Sequence, residues 1–252
     1  MKIDAPRPEH FPALWDLWIE AFGDTEAFLR DFEDTAFDPM RCRCVIKDGN
    51  IAASLYWLDC SYPSGRIAYL YAIATAKAHR GQGLCRALLE DTHRHLKALG
   101  YVGAILVPGE ESLFNFYQKM GYQTATHIGE MRAVASTHPA PIREIGIEEY
   151  AELRRKFLPT GAVIQEKENL RFLQTMARLY VGEDLLLAAR TEDGSLDGIE
   201  LLGDTATAPD ILCALGCTEG HFRISEGKKA FTMYYPLAEG ATMPSYFGLA
   251  FD

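Results

Sequence analysis

The spacing of hydrophobic residues predicts two helices at the start of the chain, followed by an antiparallel meander. One apolar stripe at helical spacing within residues 10–22 consists of Phe11, Leu14, Leu17, Trp18 and Phe22. A second, shorter pattern of the same kind follows over 25–37. Extended runs over 41–49, 50–60 and 66–75 are separated by turn residues at Asp48-Gly49 and Pro63 to Gly65. These runs predict three strands joined by hairpins.

The next segment alternates between helical and extended patterns. Residues 83–100 predict a helix that ends at Gly100 and turns four leucines inward: Leu84, Leu88, Leu96 and Leu99. A strand over 101–107, a helix over 110–122 and two closing strands over 122–128 and 130–135 follow. This order predicts an α+β domain whose sheet is mixed, mostly antiparallel and twisted, with helices on both faces.

A segment of prolines and small polar residues, Ser136 to Ile142, is the best candidate for a linker. We therefore predict two domains, 1–137 and 142–252. Downstream of the linker, one residue pattern repeats the opening of the chain. Its members correspond in spacing, at a constant shift, to Ile3, Glu9, Phe11, Leu14 and Trp18: they are Ile142, Glu148, Tyr150, Leu153 and Phe157. A diverged internal duplication and a chance similarity both explain this repeat.

The C-terminal half is predicted to be a smaller α+β domain. Its periodicity indicates helices over 148–158 and 167–180, and strands over 184–191, 197–202, 221–225, 228–237 and 245–252. A hairpin turning at Asp193-Gly194 resembles the hairpin at Asp48-Gly49, which also fits a duplication.

The net charge of the chain limits the kinds of partner that we expect it to bind. A formal net charge of −10, without a basic stripe, argues against nucleic-acid binding, which requires clustered Lys and Arg. The N-terminal residues contain no apolar signal segment, and no run approaches the roughly 20 apolar residues of a membrane span. We therefore expect a cytoplasmic protein that binds neither nucleic acid nor membrane. An acidic surface favours cationic substrates, but it also simply keeps a protein in solution.

Six cysteines are spread along a chain too long for a small disulfide scaffold: Cys42, Cys44, Cys60, Cys85, Cys213 and Cys217. Neither of the closely spaced pairs, Cys42 with Cys44 and Cys213 with Cys217, is accompanied by a second pair at zinc spacing. We expect reduced thiols and no metal site.

The segment around Gly81 and Gly83 has the pattern of a phosphate-binding loop. It lies between a predicted strand and a predicted helix, and its two glycines allow several backbone N–H groups to point into one concavity at the helix start. Arg80 and Arg86 add positive charge on either side. A P-loop would need Gly-Lys-Ser/Thr, and a dinucleotide fingerprint would need glycine at position 86, so both alternatives fail.

At these residues the sequence resembles the GNAT superfamily of N-acetyltransferases. The family's signature is Gln/Arg-x-x-Gly-x-Gly/Ala, and Arg80, Gly83 and Cys85 occupy its three positions. Cys85 replaces the small terminal residue, and Lys77 stands where many relatives have proline. A second similarity lies in residues 114–122, which follow the family's Phe/Leu-Tyr-x-Lys-x-Gly-Phe/Tyr segment, although Glu110 stands where relatives often have Asn.

The resemblance spans residues 1 to about 135 and implies the acyl-CoA N-acyltransferase fold with acetyl-CoA as co-substrate. It implies that Tyr117 is the catalytic acid that protonates the coenzyme A sulfur; packing beside Phe114 and Phe116 is the alternative role for this side chain. The residues implied to bind acetyl-CoA are Ile73, Ala74, Thr75, Arg80, Gly81, Gln82, Gly83, Leu84, Cys85 and Arg86.

The sequence leaves the general base open. The candidates are Glu20, Asp24, Glu26, Tyr69 and Tyr71, or a chain of waters. His93 and His95 lie two residues apart on a predicted helix and therefore on different faces, so we interpret both as structural.

The resemblance implies direct attack by an amine, from a small molecule or a protein, on the thioester in a ternary complex. The alternative is a non-enzymatic acyl-CoA sensor or scaffold, and a ribosome-associated acyltransferase is a third option that the acidic composition disfavours. Residues 203–216 lack the glycine pair and the arginine of the phosphate loop. We therefore interpret the C-terminal half as a non-catalytic, degenerate GNAT-like copy that walls the substrate cleft. The oligomeric state stays open, with a homodimer among the options.

Overall fold

The computed structural model describes residues 1–251 and divides into two compact units. The first unit comprises residues 1–123 and 234–243, and the second comprises 124–233 and the segment that begins at Pro244. The chain thus enters the second unit before the predicted linker at 136–142. It returns to the first unit for ten residues near its end.

The first unit contains a sheet in which all pairs but one are antiparallel. Its strands are β1 (Lys2–Asp4), β2 (Cys42–Lys47), β3 (Asn50–Tyr62), β4 (Gly65–Thr75) and β5 (Tyr101–Leu106), and its helices are α1 (Phe11–Phe22), α2 (Glu26–Thr35), α3 (Leu84–Ala98) and α4 (Ser112–Gln118). The strands lie in the order β1-β2-β3-β4-β5. Strands β4 and β5 are parallel because α3 returns the chain to the same end of the sheet.

Helix α1 packs its apolar stripe on the sheet of the first unit. Leu14, Leu17 and Trp18 are buried, and the Trp18 ring lies 4.9 Å from Phe32 of α2, measured between ring centroids. The inward orientation predicted for Leu99 is wrong, and Phe22 departs from the buried part of its apolar stripe, because both side chains are 47% exposed. Phe22 is the last residue of α1, and Leu99 follows the last residue of α3. Both precede a left-handed glycine at which the chain turns away.

The second unit repeats this style of sheet. Its elements are β6 (Gln123–Val134), β7 (Arg143–Glu144), α5 (Ile147–Phe157), β8 (Ile164–Gln165), α6 (Glu168–Met176), β9 (Arg178–Val181), β10 (Leu185–Glu192), β11 (Ser195–Gly203), α7 (Ala208–Ala214) and β12 (Glu219–Pro236). Gln123 and the last three residues of β12 are counted with the first unit. The strands lie in the order β7-β9-β10-β11-β12, and β6 pairs with β12. Strands β11 and β12 are parallel, with α7 as the crossover. The predicted α+β class with a mostly antiparallel sheet is confirmed.

Two predicted strand breaks are wrong, since β6 and β12 each run without interruption. The predicted breaks fell at Gly129 and near Gly227, where the hydrophobic pattern is interrupted. In the structure the two glycines let the strands approach closely: a Cβ at Gly129 would lie 2.1 Å from the Glu226 carbonyl oxygen. Glycine in a strand interior here marks a close backbone approach and not a turn.

Two other predictions for the second unit are also wrong. The predicted helix over 167–180 stops at Met176, and Arg178–Val181 instead pairs with β10. The predicted strand over 245–252 is irregular within the described residues, although Leu249 is fully buried. The amide of Gln165 donates to the Leu249 carbonyl at 2.6 Å and accepts from its N–H at 3.0 Å. A side chain thus satisfies the backbone where a neighbouring strand was expected.

When β6 and β8 are left aside, the two units share one order of elements: strand, two helices, three antiparallel strands, a crossover helix and a parallel strand. This order matches α1 with α5, α3 with α7, and β4 with β11. The two hairpins compared in the sequence do not match in position. Asp48-Gly49 joins β2 and β3, the second and third strands of this shared order, whereas Asp193-Gly194 joins β10 and β11, the third and fourth. What they share is turn geometry, because all four residues have φ between 48° and 83°.

Candidate functional site

A bulge in β4 gives this strand an open edge. The pairing of β3 with β4 shifts between Ser54–Ala74 and Tyr56–Tyr71, which leaves an extra residue in β4. Ala72 there has φ 48°, a conformation that residues with a side chain rarely adopt. Pairing of β4 with β5 ends at Tyr69. Consequently Ile73, Ala74 and Thr75 pair with no strand on that side within residues 1–251.

The glycine loop after β4 presents unused backbone donors. Gly81 and Gly83 both have φ 75°, and a Cβ at either position would meet nothing within 4 Å. No side chain caps the start of α3, and its first turn contains no acidic residue. Among the residues described, no hydrogen bond uses the N–H groups of residues 81–86, and the first helical bond runs from Ala87 N to Gly83 O at 3.1 Å. This geometry suits an anion.

The other predicted loop residues surround this concavity. Arg80 is exposed and donates through Nε to the Thr75 carbonyl at 3.2 Å, and Arg86 donates through Nη2 to the Lys119 carbonyl at 3.3 Å. Lys47 donates to Gln82 Oε1 at 3.0 Å and so adds a third cation.

The two residues that open α3 have different environments. Leu84 is buried and anchors the helix start. Burial raises the pKa of Cys85 to about 11. Its thiol is therefore neutral at physiological pH and adds no negative charge beside a phosphate.

Tyr117 lies near the end of α4 with only 7% of its surface exposed. Burial, and secondarily the Cys85 sulfur, raises the pKa of Tyr117 above its ordinary value, so the phenol keeps its proton at neutral pH. Among residues 1–251, no hydrogen bond to its hydroxyl is formed. The ring contacts Phe116 and Tyr122 edge-on, with centroids 5.3 and 5.8 Å apart. Tyr117 thus has a protonated hydroxyl and a packed ring.

The sequence indicates a structural role for His93 but does not predict its contact with Tyr122, which packs against Tyr117. Nε2 of His93 lies 2.7 Å from the Tyr122 hydroxyl, and the His93 ring stacks on Tyr235 at 4.0 Å. Spacing on α3 gave no signal, because Tyr122 follows α4 and Tyr235 ends β12. By contrast His95 is only near Trp57, at 5.9 Å between ring centroids.

The candidate bases all lie in the first unit, and several are already engaged. Glu20 accepts from the Lys77 N–H at 2.6 Å, and Asp24 accepts from Trp18 Nε1 at 2.8 Å. Glu26 pairs with Arg30 of the same helix at 3.3 Å. Tyr69 and Tyr71 lie with their rings 5.9 Å apart on the last part of β4 before the bulge. The geometry does not select one of the five.

Other kinds of site are not evident in the part of the chain that the structure describes. Residues 1–251 contain no group of three or more His, Cys, Asp or Glu arranged to hold a metal ion. All six cysteines are free thiols, and Cys42 and Cys44 are both buried on one face of β2. None of the helices in these residues combines the length and apolar character needed to cross a bilayer.

Comparison with known families bears directly on the first unit. The model of the Acetyltransferase (GNAT) domain matches residues 2–125. Residues 2–125 therefore belong to the GNAT acetyltransferase family. N-acetyltransferase family 8 member 2 of Rattus norvegicus is 35% identical over 68 residues, a segment that covers 26% of this chain and 30% of that protein. The predicted similarity of the N-terminal half to the GNAT superfamily is confirmed.

Solved structures extend the similarity of the fold through both units. A GCN5-related N-acetyltransferase from Kribbella flavida superposes with a TM-score of 0.70 at 16% identity, covering 93% of this chain and 70% of that one. Eis1 from Mycobacterium abscessus gives 0.69 at 14% identity, covering 94% and 74%. At these identities the likeness concerns the fold alone. The family match thus assigns a GNAT acetyltransferase domain to residues 2–125.

Proposed function

We propose that the protein is an acetyl-CoA-dependent N-acetyltransferase acting on an amine of a small molecule or a protein. The observation that supports this most strongly is the uncapped start of α3 with its unused backbone donors. Six successive N–H groups, over residues 81–86, make no hydrogen bond within residues 1–251, and three cations lie beside these groups. A pyrophosphate is the chemical group that such an arrangement binds best.

The remaining predicted residues have complementary roles in the proposal. Ile73, Ala74 and Thr75 offer the backbone groups of an open strand edge to the amide-containing arm of the co-substrate. Acetyl-CoA would supply the acetyl group as a thioester. As the amine nitrogen bonds to the carbonyl carbon and the carbon–sulfur bond breaks, the Tyr117 hydroxyl donates its proton to the sulfur. The amine loses one proton to a base or to water.

The test combines binding and turnover on the purified full chain. Coenzyme A is titrated calorimetrically, and thiol release from acetyl-CoA is measured with phenethylamine, histamine, spermidine and a peptide with a free N-terminus. We expect saturable binding and turnover of at least one amine. Tyr117→Phe should lower kcat by about 10²- to 10³-fold, as expected for loss of a general acid, with unchanged binding. Tyr62→Phe is the matched control, because Tyr62 lies half-buried at the end of β3 and its hydroxyl bonds to Thr242 and the Met243 carbonyl.

Two results would contradict the proposal in different ways. Binding of coenzyme A without turnover of any amine would favour the alternative, an acyl-CoA sensor or scaffold. Absence of binding would show that the glycine loop is not a coenzyme A site. The cytoplasmic location and the role of the C-terminal half remain predictions.

A further inference from the structure

Four aromatic side chains, Tyr117 among them, form a cluster in which each ring contacts at least one other. They come from distant parts of the sequence, and all belong to the first unit: His93 on α3, Tyr117 on α4, Tyr122 just after α4, and Tyr235 at the end of β12. Tyr117 and Tyr122 meet edge-on at 5.8 Å, and Tyr122 lies 5.4 Å from Tyr235. We call these four residues the tyrosine–histidine cluster.

One hydrogen bond fixes the centre of the tyrosine–histidine cluster. His93 Nε2 and the Tyr122 hydroxyl are 2.7 Å apart, and the two residues are only 8% and 1% exposed. Neither polar atom can exchange its partner for water without first opening the core, which makes the bond costly to lose. Burial lowers the pKa of His93 to about 4, so the bond joins two neutral groups at physiological pH.

The stack on Tyr235 removes the remaining freedom of the His93 ring. The two rings are nearly parallel, with an interplanar angle of 15° and a centroid distance of 4.0 Å. Space beside the stack is also limited, because a Cβ at Gly121 would lie 3.0 Å from the Tyr235 ring. His93 is thus held on one face by Tyr235 and at its edge by Tyr122, and it holds the Tyr122 ring in turn.

This arrangement matters because the Tyr117 hydroxyl has no hydrogen bond to direct it within residues 1–251. Its direction depends on the contacts of its ring, and Tyr122 supplies one of the two aromatic contacts. We propose that His93 is a positioning residue for Tyr117, acting through the hydroxyl and ring of Tyr122. This inference rests on the proposed role of Tyr117 as the acid.

Two substitutions of similar polarity separate positioning from mere packing. Glutamine places its amide nitrogen near the position of imidazole Nε2, whereas asparagine reaches only as far as Nδ1. His93→Gln should therefore keep the bond to Tyr122 and hold kcat within about twofold. His93→Asn should lose the bond and lower kcat about tenfold, because small misplacements of a reacting group are expensive. The KM for acetyl-CoA should change little in either variant, because the glycine loop is untouched.

The decisive measurement is made in the Tyr117→Phe background, with acetyl-CoA and the amine of the panel that turns over fastest. If His93 acts by directing the Tyr117 hydroxyl, His93→Asn has no further effect on kcat once that hydroxyl is gone. An equal tenfold loss in both backgrounds would overturn the inference, because it would show a role independent of Tyr117. Equal loss in His93→Gln and His93→Asn would overturn it as well. Thermal unfolding of each variant confirms that the compared proteins are folded.

Failure of the proposed function gives a different pattern. If Tyr117→Phe keeps full activity, the assignment of Tyr117 as the acid is wrong, and the positioning role is lost with it. If Tyr117→Phe is impaired and His93→Asn is not, only the inference about His93 is overturned.

Discussion

The two units use the same order of elements, yet their corresponding strand edges differ in what lies against them. In the first unit, the β4 bulge at Ala72 is followed by Ile73–Thr75, which meet no strand on the β5 side within residues 1–251. In the second unit, a register shift in β11 lies between Gly198 and Glu200, at the equivalent position. There the next residue, Glu200, is fully buried among the protein's own side chains.

Pairing of β11 with β12 continues beyond this shift to Leu201, so a strand occupies that edge, and the Glu200 side chain is held by hydrogen bonds of its own. Its carboxylate accepts two hydrogen bonds from Arg154, at 2.6 and 2.8 Å, and one each from the hydroxyls of Tyr246 and Tyr150, at 3.0 and 3.2 Å. A Cβ at Gly248 would lie only 1.7 Å from Glu200 Oε1, so the C-terminal segment also packs tightly here. A bound thioester arm would have no room beside this strand.

The crossover helices α3 and α7 also differ, in the charge at their N-terminal ends. Helix α3 starts without a cap and without an acidic residue in its first turn, whereas Asp204 accepts from the Ala206 N–H at 2.9 Å just before α7 and Asp210 lies in the first turn of α7. Neither helix has a side-chain cap, but two carboxylates lie at and just before the start of α7, and their negative charge opposes the binding of phosphate there. The comparison teaches that the same topology can carry different strand edges and differently charged helix starts; the proposed binding site depends on an open edge and a helix start without acidic residues. It also supports the hypothesis of a degenerate copy.

The largest expected effect concerns the buried pair of the second unit. Glu200→Leu leaves Arg154 charged and buried, and we expect it to lower the free energy of unfolding by about 3–5 kcal/mol. Urea unfolding measures this. The double variant Arg154→Met with Glu200→Leu should recover most of the loss, since no charge is then left without a partner. A double variant as unstable as the single one would contradict this account.

The next effect tests the difference between the helix starts. Gly83→Asp places at α3 the kind of charge found at α7, and we expect coenzyme A to bind about 100-fold more weakly in calorimetry, because a carboxylate replaces attraction by repulsion. Gly216→Asp is the matched control: Gly216 has φ 68° and equally open surroundings, but it lies beyond the end of α7. If both variants bound coenzyme A like the wild type, negative charge at the helix start could not explain the difference between the two units.

A slightly smaller effect is expected from the neutral histidine of the first unit. The pKa of His93 is about 4 in the folded protein, against an ordinary 6.5. Between these values the unfolded chain binds a proton that the folded protein does not, so stability is lost as the pH falls from 6.5 toward 4. At pH 4.5 this amounts to about 2.5 kcal/mol. Urea unfolding at pH 7.5 and 4.5 should show that His93→Gln loses less stability than the wild type.

The smallest effect should be equal in the two units. Gly49→Ala and Gly194→Ala each place a side chain at a left-handed turn position, with φ of 83° and 77° and open space around it. Each should cost about 1 kcal/mol of unfolding free energy, because the penalty comes from the backbone conformation and not from crowding. Markedly different costs, measured by urea unfolding, would show that the two turns are not equivalent.

Much of the fold could be read from local patterns. The helix over Phe11–Phe22, the Asp48-Gly49 hairpin and the start of α3 after the glycine loop were all predicted, because spacing and turn chemistry act within a few residues. The strand ends predicted at glycines within β6 and β12 were wrong. A glycine that ends a strand and a glycine that allows a neighbouring backbone to approach look alike in sequence.

The candidate site shows the same division. Sequence alone determined the strand, glycine loop and helix with Arg80 and Arg86, because these residues are adjacent and their chemistry is local. Only the tertiary structure decided that His93, Tyr122 and Tyr235 meet beside Tyr117, and that Glu200 is buried at the matching strand edge of the second unit. These residues are separated by 29 to 142 positions along the chain or belong to different elements. Such contacts depend on how whole elements pack, which no periodicity within one element records.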